Sequence, residues 1–156
     1  MRRGDLALYA AKAKGRDQLA LYDRALDRRA RERRTLELEL AGALAREEMV
    51  LHYQPIIALG TGATVGYEAL LRWRHPRRGL LMPDAFLALA EESGQIVGLG
   101  DWVIRRALAE VAFWEADFRL SINLSPTQIR NPLLITTIDS ALAATGAPSL
   151  GRIRPP

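Results

Sequence analysis

The run Gly66-Tyr67-Glu68-Ala69-Leu70-Leu71-Arg72-Trp73-Arg74-His75-Pro76 restricts the fold more than any other stretch of the chain. Its first half alternates as a strand does. Val65, Tyr67, Ala69 and Leu71 fall on one side, and Gly66, Glu68, Leu70 and Arg72 on the other. An acid and a base therefore share a face, with an apolar residue between them. That face is neither an oily core nor a plain wet exterior. A carboxylate among Ala and Leu needs a cation, a metal or hydrogen bonds, because an unpaired buried charge is costly. Spacing alone leaves two readings open: an interior salt bridge, or a site holding a metal ion and a phosphate side by side.

The surroundings read as alternating strand and helix. Met49 to Leu59 is rich in Val, Ile, Leu and Tyr, and Gly60-Thr61-Gly62 turns it into a second strand, Ala63 to Trp73. Pro76 and the Arg77-Arg78-Gly79 loop close this hairpin. Pro83 opens a helix through Phe86, Leu87 and Ala90 to Ser93-Gly94. Gly98 and Gly100 are expected to break the chain before Asp101 caps the next helix. There Val103, Ala107, Val111 and Trp114 make the core stripe, with Arg105, Arg106 and Glu110 outside. Phe118 to Leu124 is a strand, and Ser125-Pro126-Thr127-Gln128 reads as a capping box with proline at the first helical position. A last helix runs from about Pro132 to Ala144. Hairpin, helices, strand, helix is the opening of an α/β barrel.

Composition narrows the chemistry. The 156 residues contain no cysteine, so disulfide scaffolds and thiolate metal sites are excluded, which fits a cytoplasmic location. No apolar run approaches the roughly 20 residues that cross a bilayer. The formal charge of +4 comes mainly from arginine. Much of it sits between Arg24 and Arg34 without interleaved aromatics, which argues against a nucleic-acid polymer as partner. Over Asp23 to Glu48, opposite charges three and four residues apart support a solvated connector helix, with Leu36, Leu40 and Leu44 along one face.

Glu68-Ala69-Leu70, followed by Leu71-Arg72-Trp73 and His75-Pro76, resembles the signature of EAL domains, the cyclic-di-GMP phosphodiesterases. The likeness extends through Tyr53-Gln54-Pro55-Ile56 upstream and Pro83, Phe86 and Ala90-Glu91 downstream. It continues through Gly100-Asp101-Trp102-Val103 to Ile122-Asn123-Leu124-Ser125, in the family's order and at similar spacing. The resemblance implies a variant TIM-like (β/α) barrel with one antiparallel strand. It also implies a site in which two divalent cations, Mg²⁺ or Mn²⁺, drive hydrolysis of cyclic-di-GMP to the linear dinucleotide pGpG. Glu68 becomes a metal ligand and catalytic residue, Asn123 an amide-oxygen ligand, Arg72 a phosphate contact, and Gln54 a substrate contact beside the metals. Glu91 matches a recurrent family acid, with a helix-surface carboxylate as its other reading. His52 and His75 match no family ligand. Trp73 is a candidate for stacking on guanine or for the core, and Ser125 is a helix cap rather than a nucleophile.

Further upstream, Asp5-x-Ala7-Leu8-Tyr9-x-Ala11-Lys12-x-x-Gly15-Arg16 resembles the last helix and turn of a GGDEF (diguanylate cyclase) domain. Its signature loop is absent, so Lys12 and Arg16 read as surface charges. The expected organisation is a cyclase remnant over 1–22, a connector helix over 23–46, and the N-terminal part of an EAL domain over 47–156. From Glu47 onward there are 110 residues, against about 250 for a complete barrel. The tail Ser149 to Pro156 does not read as the next barrel strand. An incomplete barrel without the later acidic ligands is expected to be catalytically silent by itself. A non-catalytic regulatory or interaction module and a non-functional remnant remain as alternatives. A homodimer through the barrel domain or the connector helix is compatible with either.

Overall fold

The computed structural model describes residues 24–114 and 118–145. The cyclase-like helix and turn expected within 1–22, Lys12 and Arg16 among them, lie outside the described residues. So does the tail from residue 146. Residues up to Leu40 and those from Ala41 onward form separate compact units.

The first unit carries helix α1 (Arg24–Ala41). Its charges pair along the surface as expected, Arg31 with Asp27 and Arg34 with Glu37, both at 2.8 Å. Such exposed pairs contribute a few tenths of a kcal/mol each. The helix expected to continue to Glu48 stops at Ala41. At Gly42 the chain folds into turns, held by the Arg46 N–H on the Gly42 carbonyl (3.1 Å) and the Glu48 N–H on that of Ala43 (3.0 Å). Glu47 takes a left-handed φ of 56° there. Leu44 therefore does not extend a helical stripe.

The second unit is built on a four-stranded sheet. Strand β1 (Met49–Ile57) pairs antiparallel with β2 (Thr64–His75), from Met49 opposite Trp73 to Ile56 opposite Gly66. The sequence reading missed β3 (Gly79–Leu81), which doubles back on the end of β2 with Leu80 opposite Arg74. Gly79 permits this reversal by adopting φ 71°. Strand β4 (Arg119–Ile122) pairs parallel to β2, with Glu68 beside Ser121 and Ala69 beside Ile122. Antiparallel β1 and β3, parallel β4 and, among the described residues, an unclosed sheet give the incomplete α/β barrel that the sequence predicts.

Parity decides which face is covered. Tyr67, Ala69, Leu120 and Ile122 share the helix side. Leu120 and Ile122 pack there on a core of Ile104, Leu108 and Ala141. Those residues come from α3 (Ile96–Val111) and α5 (Leu134–Thr145). Further along β2, Trp73 and Phe86 are fully buried against one another, with ring centroids 5.7 Å apart. The short helix α2 (Leu87–Glu92) follows a 3-10 turn at Pro83–Ala85. None of the described helices is long and apolar enough to cross a membrane.

Helix α3 corrects one expectation. It runs through Gly98 and Gly100 instead of starting after them. Glycine inside a helix costs about 1 kcal/mol relative to alanine, but here packing decides. A Cβ on Gly100 would collide with the Gln128 side-chain amide of α4 (Pro126–Ile129), so glycine leaves that amide room to complete its capping contact with Ser125. Asp101 faces α5 instead, accepting from the Thr137 hydroxyl at 3.4 Å. The capping box forms as read: the Gln128 N–H donates to Ser125 Oγ, and the Ser125 N–H to Gln128 Oε1.

Candidate functional site

Glu68 lies on the face of β2 opposite the helices, half-buried. The antiparallel register sets Gln54 directly across from it on β1, and the parallel register sets Ser121 beside it on β4. Asn123 follows one residue after β4 ends, on the same side as Ser121. The Asn123 amide nitrogen donates to Glu68 Oε1 at 2.5 Å, across 55 residues of sequence. Two side chains singled out separately thus converge, Glu68 from the middle of β2 and Asn123 from just past the C-terminal end of the parallel strand β4. Gln54 is exposed at the flank of this pair.

Arg72 is not brought onto Glu68. It lies four residues further along β2, or about 13 Å of extended strand, and its Nη1 donates to the Leu71 carbonyl at 2.8 Å. Among the described residues, Glu68 and Arg72 form no ion pair, so the interior salt bridge is not formed. The other candidates resolve toward structure. Glu91 is exposed on α2, and His52 is exposed on β1. Trp73 is core: its indole N–H donates to Glu48 Oε2 at 2.9 Å. Arg46 holds the other carboxylate oxygen at 2.6 Å. These two donors, Arg46 first, keep the Glu48 carboxyl below its ordinary value.

His75 is buried against Trp73, with ring centroids 4.9 Å apart. Its Nδ1 accepts the Arg77 N–H at 3.1 Å, which requires that nitrogen to be unprotonated. Burial above all, and then the Arg78 charge, push its pKa below 6.5; Glu48 pulls the other way and Arg46 adds to the depression. The unfolded chain therefore binds this proton at a higher pH than the fold does. Stability is full above about pH 6.5 and is lost as the pH falls through that value toward the depressed folded pKa. Denaturant midpoints at pH 7.5 and 5.5 should show the drop in the wild type and a smaller drop in His75→Asn. Equal drops would remove His75 as a source.

Sequence reading placed Glu110 outside, but it is half-buried and accepts the Tyr53 hydroxyl at 2.6 Å. Burial, then this bond and the carboxylate's charge, raise the Tyr53 pKa well above its ordinary range. Tyr53, Tyr67, Trp114 and Phe118 form edge-to-face contacts beside it, with centroids 4.9–6.2 Å apart. Glu110 and Arg106 form an ion pair and line a cleft of about 490 Å³ with Met49, Leu51 and Trp102. That cleft includes none of Gln54, Glu68, Arg72 or Asn123. Ser121 was also missed, although the alternation Ser121-x-Asn123 puts both on one face.

Glu68 and Asn123 fit a hard dication by donor chemistry. Both offer oxygen, and ligand oxygens at adjacent positions around Mg²⁺ sit about 3 Å apart, from metal–oxygen distances near 2.1 Å. The 2.5 Å contact of the Asn123 amide nitrogen with Glu68 Oε1 sets the two head groups side by side, and a flip of that amide would present Oδ1 in place of the nitrogen. Among the described residues, no cluster of three or more His, Asp or Glu gathers a fuller shell.

The comparisons agree on one family. The EAL domain model matches residues 37–153. An uncharacterised signalling protein of Caulobacter vibrioides is 45% identical over 146 residues, covering 94% of this chain and 18% of its own length. The bifunctional diguanylate cyclase/cyclic di-GMP phosphodiesterase MucR of Pseudomonas aeruginosa is 38% identical over 146 residues, covering 91% of this chain and 21% of its own length. A solved structure of PaMucR phosphodiesterase in complex with c-di-GMP superposes with a TM-score of 0.69 at 40% identity, covering 72% of this chain and 47% of that one. The chain therefore spans about a fifth of these curated relatives and just under half of that solved chain. With its antiparallel first strand, its parallel β2–β4 pair and the family match over residues 37–153, the chain belongs to the EAL domain family.

Proposed function

We propose that this chain contributes the first strands and first metal ligands of a cyclic-di-GMP phosphodiesterase domain. The observation that supports the reading is the meeting of Glu68, mid-way along β2, with Asn123, just past the C-terminal end of the parallel strand β4, at 2.5 Å. Barrels of this class keep their chemistry at that end of the strands. In this reading residues 1–22 are a cyclase remnant, 23–46 the connector, and 47–156 the start of the phosphodiesterase domain. Relatives named as cyclic di-GMP phosphodiesterases, MucR among them, support the substrate class.

Glu68 and Asn123 would hold Mg²⁺ or Mn²⁺ through a carboxylate and an amide oxygen. When bound, the metal neutralises a phosphodiester oxygen and activates water. The chain's own contribution is to fix both oxygens on one rigid sheet face. Gln54, across the ladder from Glu68, is set to contact substrate beside the metals. Arg72, further toward the end of β2, binds a phosphate oxygen. Two side chains supply only part of an octahedral shell, so turnover draws on later strands of the same domain. Residues 1–156 alone are expected to be silent with Mg²⁺ or Mn²⁺.

Arg72→Ala tests the substrate assignment in the intact protein. The variant deletes a charge-assisted hydrogen bond of about 1.5–3 kcal/mol, so KM for cyclic-di-GMP should rise about ten- to a hundredfold while kcat changes little. An unchanged KM, or a loss confined to kcat, would remove Arg72 from the binding site.

A further inference from the structure

We propose that Ser121 is a positioning residue that orients the Glu68 carboxylate for metal binding, an inference that rests on the phosphodiesterase reading above. The register puts Gln54, Glu68 and Ser121 in one transverse row on the bare face of β1, β2 and β4. Asn123 engages Glu68 Oε1, and among the described residues the second carboxylate oxygen has no partner. The Ser121 hydroxyl is exposed and likewise has none among the described residues. Adjacent strands lie about 4.8 Å apart, and β2 and β4 approach closely here. Two pairs earlier, on the same face, a Cβ on Gly66 would collide with the Arg119 carbonyl. A serine at that spacing has a short, rotatable hydroxyl whose proton reaches the neighbouring carboxylate through a change of χ1.

The chemistry follows from the two-sided nature of a carboxylate. An oxygen that ligates a metal is held in place when its partner oxygen accepts a hydrogen bond from the surrounding protein. Loss of such an outer contact commonly weakens metal affinity ten- to a hundredfold. The alternation along β4 divides the work. Asn123, toward the open end of the strand, meets the metal directly, and Ser121, level with Glu68, steadies the carboxylate. Ser121 touches neither metal nor substrate in this role.

The test compares Ser121→Val with Ser121→Thr in the intact protein, since the two differ by a hydroxyl and both suit a strand. Direct Mn²⁺ titration, followed by the loss of the free-ion paramagnetic resonance signal, gives the dissociation constant without requiring turnover. Ser121→Val should raise it about tenfold or more, and Ser121→Thr should stay within about threefold of wild type. Wild-type affinity in both variants, or equal weakening in both, would overturn the proposal. Glu68→Gln, titrated alongside, separates the two levels. If Glu68→Gln abolishes Mn²⁺ binding while Ser121→Val matches wild type, only the role of Ser121 fails. If Glu68→Gln binds Mn²⁺ as the wild type does, the metal site and the role of Ser121 fail together.

Discussion

On the phosphodiesterase reading proposed above, Glu68→Gln in the intact protein is expected to lower turnover of cyclic-di-GMP by about three orders of magnitude and to weaken Mn²⁺ or Mg²⁺ binding with it. The substitution keeps the shape of the side chain and removes its charge. A hard dication depends on that charge, and the metal's contribution to a phosphodiester transition state is worth several kcal/mol, each 1.36 kcal/mol being about tenfold in rate. The variant should fold normally. Glu68 is only half-buried, and an amide there still hydrogen-bonds with Asn123. Metal titration of kcat separates ligand loss from general damage. A ligand role shifts the metal dependence, whereas a defect in packing lowers activity at every metal concentration alike. The same metal dependence in wild type and variant would take Glu68 out of the ligand set.

Trp73→Ala is expected to destabilise the fold by about 3–5 kcal/mol, which is a large share of the 5–15 kcal/mol that holds a typical domain together. The side chain is fully buried, packed edge-on to Phe86 at 5.7 Å and beside His75 at 4.9 Å. Its indole N–H ties the sheet to the turn before β1 through Glu48. Truncation therefore opens a cavity and removes a donor from a carboxylate together. Trp73→Phe should cost less, because the ring volume is largely kept and Arg46 still holds Glu48. Denaturant unfolding of the three proteins gives the comparison. A loss under about 1 kcal/mol for Trp73→Ala would mean that the site collapses without a cavity, contrary to the packing around it.

Much of this was legible in the residues because period-2 alternation, turn glycines and caps are local signals. The β1–β2 hairpin follows from Gly60-Thr61-Gly62 between two apolar runs, and the capping box at Ser125 forms with both of its hydrogen bonds. Glu68 and Asn123 were each identified in sequence, but their meeting required the parallel register of β2 and β4, which no local pattern encodes. Gly98 and Gly100 misled for a related reason. Glycine reads as a break until a neighbour such as Gln128 needs the missing Cβ. The short β3 strand and the Tyr53–Glu110 bond were invisible because both depend on partners set by the fold. Trp73 was ambiguous between stacking and core, and its complete burial decides for the core.

The most direct test of the metal site is the position of Mn²⁺ in crystals of the intact protein grown with cyclic-di-GMP, located by anomalous scattering. A peak about 2.1 Å from a Glu68 carboxylate oxygen, with the Asn123 amide turned so that Oδ1 shares the ion, is the expected result. A Mn²⁺ peak elsewhere, with Glu68 and Asn123 still bonded only to each other, would contradict it.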